Sequence, residues 1–412
     1  MNYNVAVEIK EKELREKKKI VKKKIVLIIG KLILTLGLVL LTVLAGLTLG
    51  FLHGITVNQK KSLAVISEYR WKYKQLNETE KIIYESIYET VQNDELDFSV
   101  DVPKIDSDKI EGMVDRTLEA FCSDYPELFW LTGGGKYSVF DKSKYSTLNM
   151  SLNCWSYWNF TIDKKGEFDK MISKASEITE QAAVLPTTYD KVKYVHDYLV
   201  KNVEYDYIAA EKNDQPITSK TVDQANTAYG CLVNGKAVCG GYAKAFQLLM
   251  IMLGIECEYV RGEAGESHAW NCLKLDGEYY WFDVTWDDQN NSDYPELVLY
   301  NYFGCSTDDL YKTHKPFEKF DIPQCSATSY NFFVREECYI EKYDFDTVIQ
   351  AIGKQKETNQ INLKFGNINE LYQAKKELFI DGLWFTIPEF SEKKIVYFCH
   401  DTQCAMYILV VE

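Results

Sequence analysis

No two of the 11 cysteines stand at C-x-x-C spacing, which excludes a zinc ribbon or a thioredoxin-like redox motif. Positive charge is in deficit: the net charge is −14, and binding nucleic acid needs a basic face, so no nucleic-acid partner is expected. The chain has no internal repeat, which excludes a repeat architecture. It has no low-complexity tract beyond a Lys-rich N-terminus. Aromatic residues are abundant instead, with 29 Tyr, 20 Phe and 8 Trp, and argue for folded structure over disorder. At 412 residues the chain has the length for two or three domains with a sizeable buried core.

Charge and hydropathy are unevenly spread. Residues 1–31 carry ten Lys or Arg against four Glu, a net of +6 that leaves the remainder at −20. Leu32 to Leu52 is uncharged and almost wholly apolar, long enough to cross a hydrocarbon core as a helix, and Lys31 at its edge can snorkel. The stretch is longer than a cleaved signal peptide's apolar region and has no polar face to suit a buried soluble helix. The expectation is a single-pass signal anchor in the cell membrane. The Lys cluster keeps the N-terminus cytoplasmic, and the chain beyond residue 55 is extracytoplasmic. Cysteines outside the cytoplasm can pair, and an odd number leaves at least one free, with Cys239 the natural candidate.

Five segments follow: a basic tail (1–31), the membrane helix (32–52), an N-terminal α+β region (60–185), a core segment (186–325) and a small α+β C-terminal module (326–412). Asn77 to Gln92 has the pattern of an amphipathic helix with Ile82, Ile83, Ile87 and Val91 inside, and Asn77 with Glu80 resembles a capping box. Further helices are expected over Ser107–Ser123, Glu167–Ala182 and Tyr189–Asn202, with strands continuing to Ile162. After Cys325 the pattern reads strand, helix, strand, helix and strands, the first strand lying in NFFVREECYIEKYDF.

The chemistry concentrates between Cys231 and Asp288. Cys239 stands on a Gly-Gly turn that opens an apolar helix (CLVNGKAVCGGYAKAFQLLM), where the helix dipole favours a thiolate. Gly240 lets a substrate backbone approach, and the Cys239 amide can donate to an oxyanion. Downstream, Asp276-Gly277 is a two-residue hairpin signal. In that register Leu275 opposes Glu278, His268 opposes Thr285 and Trp270 opposes Asp283. His268 and Asp283 then share one face as diagonal neighbours, within reach of an Asp–imidazole hydrogen bond. The roles that follow are Cys239 as nucleophile, His268 as its proton partner and Asp283 as the orienting carboxylate. Trp270 and Trp286 are expected to wall the substrate site. His196 reads as a packing histidine, His314 and His400 have no evident partner, and Asp287 and Asp288 read as solvated loop carboxylates. No cofactor or metal is expected.

KVKYVHDYLVKNVEYD, AYGCLVNGKAVCGGYAKAF and SHAWNCLKLDGEYYWFDVTWDD, in that order, resemble the transglutaminase-like superfamily in its bacterial membrane-anchored or secreted branch. The resemblance covers roughly residues 187–320. It implies a papain-like α+β core in which a nucleophile helix packs on an antiparallel sheet, with Cys239, His268 and Asp283 at the family's triad positions. It supplies no second oxyanion donor, for which Tyr229 and Asn234 are candidates, and nothing resembles the calcium sites of animal transglutaminases.

Two functions compete. One is a cysteine enzyme performing acyl transfer, or amide or peptide hydrolysis, on a protein or cell-wall peptide through a thioacyl intermediate. The other is a non-catalytic surface module on the same fold, with Cys239 inert.

Overall fold

A computed structural model describes residues 69–106, 108–155, 164–212, 220–288, 293–317 and 319–411. The expected basic tail (1–31) and membrane helix (32–52) lie outside these residues. Among the described residues no helix is long and apolar enough to cross a membrane.

The N-terminal region is built from α1 (Glu78–Gln92), β1 (Asp97–Pro103), α2 (Ile110–Asp124), β2 (Leu131–Asp141) and β3 (Tyr145–Cys154). Asn77 caps α1 by accepting from Thr79 and Glu80, while the Glu80 carboxylate accepts from the Asn77 amide, so the capping box forms. Ile83, Tyr84, Ile87 and Val91 point inward, whereas Ile82, expected inside, is exposed because it lies a quarter turn off that stripe. The strands form an antiparallel sheet in the order β1-β3-β2, on which α1 and α2 pack. The strand expected to run to Ile162 ends at Cys154, and 156–163 lie outside the described residues.

Next come α3 (Lys164–Ala183), α4 (Thr188–Asn202), β4 (Glu204–Tyr205), α5 (Tyr207–Lys212), α6 (Lys220–Ala225), a π-helical turn (Gly230–Asn234), β5 (Lys236–Ala237) and α7 (Cys239–Met252). Thr187 begins α4 with a second capping box, formed with Asp190. The chain then lays down β6 (Glu256–Glu263), β7 (Ser267–Leu275), β8 (Glu278–Phe282), a short α8 (Val284–Asp287), β9 (Phe303–Cys305), α9 (Thr307–Leu310) and β10 (Lys315–Pro316). These strands make a five-stranded antiparallel sheet in the order β10-β6-β7-β8-β9, with α7 against one face. Gly262 lets the edge strand β10 close on β6, since a methyl group there would meet the Lys315 carbonyl oxygen at 2.2 Å.

The C-terminal stretch contains α10 (Phe332–Arg335), β11 (Tyr339–Ile340), α11 (Phe345–Lys354), β12 (Gln360–Phe365), α12 (Ile368–Lys375), β13 (Lys394–His400) and β14 (Ala405–Val411). Its sheet has the order β11-β12-β14-β13. The segment expected as the first strand opens instead with α10, because Asn331 accepts from the Phe333 and Val334 amides and starts a helix, and its strand is only the short β11.

The expected boundaries at 185 and 325 do not divide the apolar core. Met171, Ala175, Ile178 and Ala182 of α3 share one buried cluster with Phe246 and Leu249 of α7 and with Ile361, Leu363 and Ile408 of the C-terminal sheet. The apolar faces of these elements have only each other to cover them. A second cluster joins α1, α2 and the first sheet, and takes in Ile251 and Phe320 from the central segment.

Candidate active site

Cys239 is the first residue of α7. Val238 stands at the N-cap in extended conformation and offers no side-chain hydrogen bond, so no side chain caps the first-turn amides. Gly241 is demanded by packing: a methyl group there would lie 2.4 Å from the Ala225 carbonyl oxygen and 2.8 Å from the Ala237 side chain. Gly240 is under no such pressure. A methyl group on it would lie 3.5 Å from the Asn226 side-chain oxygen and 3.6 Å from the Tyr259 hydroxyl.

The hairpin that carries the other two residues turns at Asp276 (φ 51°) and Gly277 (φ 88°), both left-handed as a type I′ turn requires. Leu275 pairs with Glu278, and the expected register holds back to Asn271 opposite Phe282. It then stops. Asp283 leaves the ladder and becomes the N-cap of α8, its Oδ1 accepting from the amides of Thr285 (3.0 Å) and Trp286 (3.2 Å). The expected pairs His268–Thr285 and Trp270–Asp283 therefore do not form, and His268 faces Gly262 of β6 instead. The contact inferred from that register survives by another route. Asp283 Oδ2 accepts from His268 Nε2 at 2.7 Å, with the carboxylate fully buried and the imidazole nearly so.

Cys239 and His268 line the same cavity, and the thiol is one of the groups that act on this imidazole. Burial by itself pushes this imidazole down, but the Asp283 carboxylate, together with Cys239, reverses the effect and raises it to about 10. Burial likewise pushes the Asp283 carboxyl up, and His268 and His314 hold it well below the usual carboxylate range. The buried carboxylate thus favours the charged form of an imidazole that faces the same cavity as Cys239.

Sequence reasoning missed His314. It is buried just before β10 and points its Nε2 at the same Asp283 Oδ2, at 3.0 Å, while its Nδ1 lies 2.7 Å from Thr313 Oγ1. Trp286 and Trp270 pack on it at 4.7 and 4.9 Å between ring centroids. No local pattern marks this residue, since its partner lies 31 positions earlier. His268, Asp283 and His314 also offer the donor types of a metal site, with ligand atoms within 4.8 Å of one another. Hydrogen bonds to the shared carboxylate already account for that grouping.

Trp270 and Trp286 were expected to wall the substrate site. Trp270 is fully buried and stacks on His268 at 5.8 Å, and Trp286 lies 5.6 Å from the same ring. Both pack around the histidines behind the cleft. Asp287, expected in solvent, is fully buried: it accepts from the Tyr302 amide and meets His196 Nε2 at 3.2 Å. Asp288 accepts from the Tyr242 hydroxyl at 2.6 Å. These contacts leave His196 as the satisfied packing histidine expected of it. Of the two oxyanion-donor candidates, Tyr229 is stacked on Phe129 and Asn234 donates to Gln224. Asn226 lies beside Gly240 and faces the cavity, a position no sequence signal announces.

That cavity has a volume of about 560 Å³. Cys239, Gly240 and His268 line it together with Asn226, Tyr205 and Tyr259, and Glu119, Cys122 and Thr132 of the N-terminal region form its far side. The cleft is therefore built by two parts of the chain.

Residues 175–285 match the family model of the transglutaminase-like superfamily. Kyphoscoliosis peptidase of Homo sapiens is 26% identical over 143 residues, covering 29% of this chain and 20% of that protein. The Mus musculus protein of the same name is 26% identical over 163 residues, covering 33% and 23%. The match thus spans less than a quarter of these relatives' own length. Among solved structures, a crystal structure of a TGase aligns with a TM-score of 0.29 at 18% identity over 47% of this chain and 52% of that one. The periplasmic domain of TgpA from Pseudomonas aeruginosa aligns with a TM-score of 0.21 at 16% identity over 38% and 58%. By the family match and its α+β core, the chain carries a transglutaminase-like domain over residues 175–285.

Proposed function

We propose that this protein is a membrane-anchored, extracytoplasmic cysteine enzyme that performs acyl transfer or hydrolysis on an amide of a protein or cell-wall peptide. The observation that carries the reading is the His268 imidazole bonded to the buried Asp283 carboxylate and facing the same cavity as Cys239. The peptidase name of the mammalian relatives agrees with it.

In this reading the Cys239 thiolate attacks the acyl carbon and the carbonyl electrons move onto oxygen. The first-turn amide of α7 and the Asn226 side chain donate to that oxyanion. Collapse breaks the C–N bond, and His268 gives its proton to the departing amine, leaving a thioester and a neutral imidazole. Water or a second amine then attacks the thioester, losing a proton to His268 and releasing the thiolate. Hydrolysis and transfer differ only in that second nucleophile. Asp283 stays ionised throughout and fixes the orientation of the imidazole.

The test is site-resolved alkylation of the full chain with iodoacetamide, read by mass spectrometry. Burial pushes the other thiols up, Cys122 to about 11 and Cys257, Cys272 and Cys305 well above their ordinary value, so they should react slowly. Cys239 is expected to react fastest and to lose that advantage in His268→Ala. If it is disulfide-bonded or no faster than its neighbours, the enzyme reading falls and a non-catalytic surface module takes its place.

A further inference from the structure

The nucleophile helix contains one charge that the chemistry above does not use. In CGGYAKAFQLLMIM only Lys244 carries a positive charge. It is half-buried and lines the cavity that holds Cys239, with its ammonium 5.7 Å from the centre of the Tyr259 ring. The Tyr259 hydroxyl in turn stands over Gly240. Among the described residues no carboxylate forms an ion pair with Lys244. Burial pushes its ammonium down, and the charges that act on it are Cys122, Arg261 and Lys72.

Arg261 lies on β6 opposite Ala269, the neighbour of His268, and lines the same cavity. Among the described residues no carboxylate pairs with its guanidinium. The nearby cations are already taken: Lys72 holds Glu258 at 2.9 Å and Lys319 holds Glu119 at 2.7 Å. Among the described residues the remaining acids of the cavity, Glu266 and Asp115, form no ion pair with either cation. One wall of the cleft therefore carries two unpaired cations beside the nucleophile. A half-buried cation without a counter-charge is costly, and an arriving anion removes that cost.

We propose that Lys244 and Arg261 form an anion subsite that takes a carboxylate of the peptide substrate. The proposal rests on the reading of Cys239 as nucleophile. A planar guanidinium beside an ammonium suits a carboxylate, one partner supplying paired donors and the other a point charge. Peptides present that group in two places, an acidic side chain or a free C-terminus.

The test uses iodoacetyl probes that alkylate Cys239, with the full chain and site-resolved mass spectrometry. One pair is iodoacetyl-glutamate amide against iodoacetyl-glutamine amide, which senses a side-chain carboxylate. The other is iodoacetyl-glycylglycine against its amide, which senses a C-terminal carboxylate. In the unaltered protein the anionic member of at least one pair should alkylate Cys239 faster, and which pair does so identifies the source. Lys244→Met and, separately, Arg261→Gln should each cut the anionic-to-neutral rate ratio by roughly tenfold, as expected for losing one charge-assisted contact. The ratio is taken within each variant, so a general loss of reactivity cancels, and a thermal melt checks that the fold is kept. If Cys239 outpaces the other thiols but neither variant moves the ratio, the subsite is wrong and the nucleophile stands. If no probe favours Cys239, both fall together.

Discussion

Asp283 accepts four hydrogen bonds with two oxygens. Oδ1 caps α8 through two backbone amides, and Oδ2 receives the Nε2 of both His268 and His314. The carboxylate is thereby a structural cap and an electrostatic anchor at once. Its influence on His268 sets a pH window. A group raised in the folded state lends stability that is complete below its ordinary value, so the His268 contribution is lost as pH rises through about 10. Asp283 has the opposite sign: its contribution is present above the ordinary carboxyl range and is lost only as pH falls through its depressed value. An NMR titration of His268 should show a midpoint near 10 in the unaltered protein. In Asp283→Asn it should fall well below that, because only Cys239 then opposes burial. His314→Leu should instead lower the melting temperature. The hydrogen bond it removes from the charged carboxylate is worth about 1.5–3 kcal/mol, and His314→Gln, which keeps a donor, should restore part of it. An unchanged His268 midpoint in Asp283→Asn would show that the carboxylate does not govern the imidazole. His268 and Asp283 were legible because the Asp276-Gly277 turn brings their two strands together, although the register itself ends at Phe282 and the cap of α8 makes the contact. His314 was not, because it reaches the carboxylate from an edge strand whose approach is decided by tertiary packing at Gly262.

At the scale of elements, local chemistry was the readable part. Asn77 with Glu80 announces the start of α1, and Asp276-Gly277 announces the β7–β8 hairpin, since each is a complete local instruction. The register beyond Phe282 was misread because an aspartate can end a strand by capping a helix, and the pairing rule does not contain that choice. The same competition turned the run after Asn331 into α10. Within α7, the two glycines after Cys239 look alike in sequence and differ in packing. Gly241→Ala forces a methyl group against the Ala225 carbonyl and should destabilise by about 1–3 kcal/mol, the usual cost of overpacking. Gly240→Ala meets nothing closer than 3.5 Å and should leave the melting temperature nearly unchanged. Equal shifts in a thermal melt of the two variants would show that the helix start can relax away from the 225–238 segment.

As a whole, residues from Val65 onward behave as one compact unit, and the expected three-way division of that stretch does not describe how its core is shared. The C-terminal sheet holds the loop behind the site: the Tyr407 hydroxyl accepts from the Tyr300 amide and donates to Asn301, and Lys364 pairs with Asp309 at 2.9 Å. Removing residues 326–412 should therefore leave a central segment that does not melt cooperatively, whereas the full chain should unfold in a single transition. Two separated transitions in the full chain, or a cooperative melt of the shortened one, would show that the module is an independent passenger. The sequence divides at 185 and 325 because Pro186 breaks the pattern before one helix and a new strand and helix pattern begins after Cys325. Nothing in it shows that α3 and β14 meet in one apolar cluster.

The family match ends at residue 285, just past Asp283, while the second imidazole on that carboxylate comes from residue 314. A gene fragment trimmed to the match would encode the thiol, the imidazole and the carboxylate in their proper order and still omit two of the carboxylate's four donors, the Trp286 amide and His314. Transplanting this chemistry to another scaffold, or shuffling it between homologous genes, calls for a cut site downstream of β10.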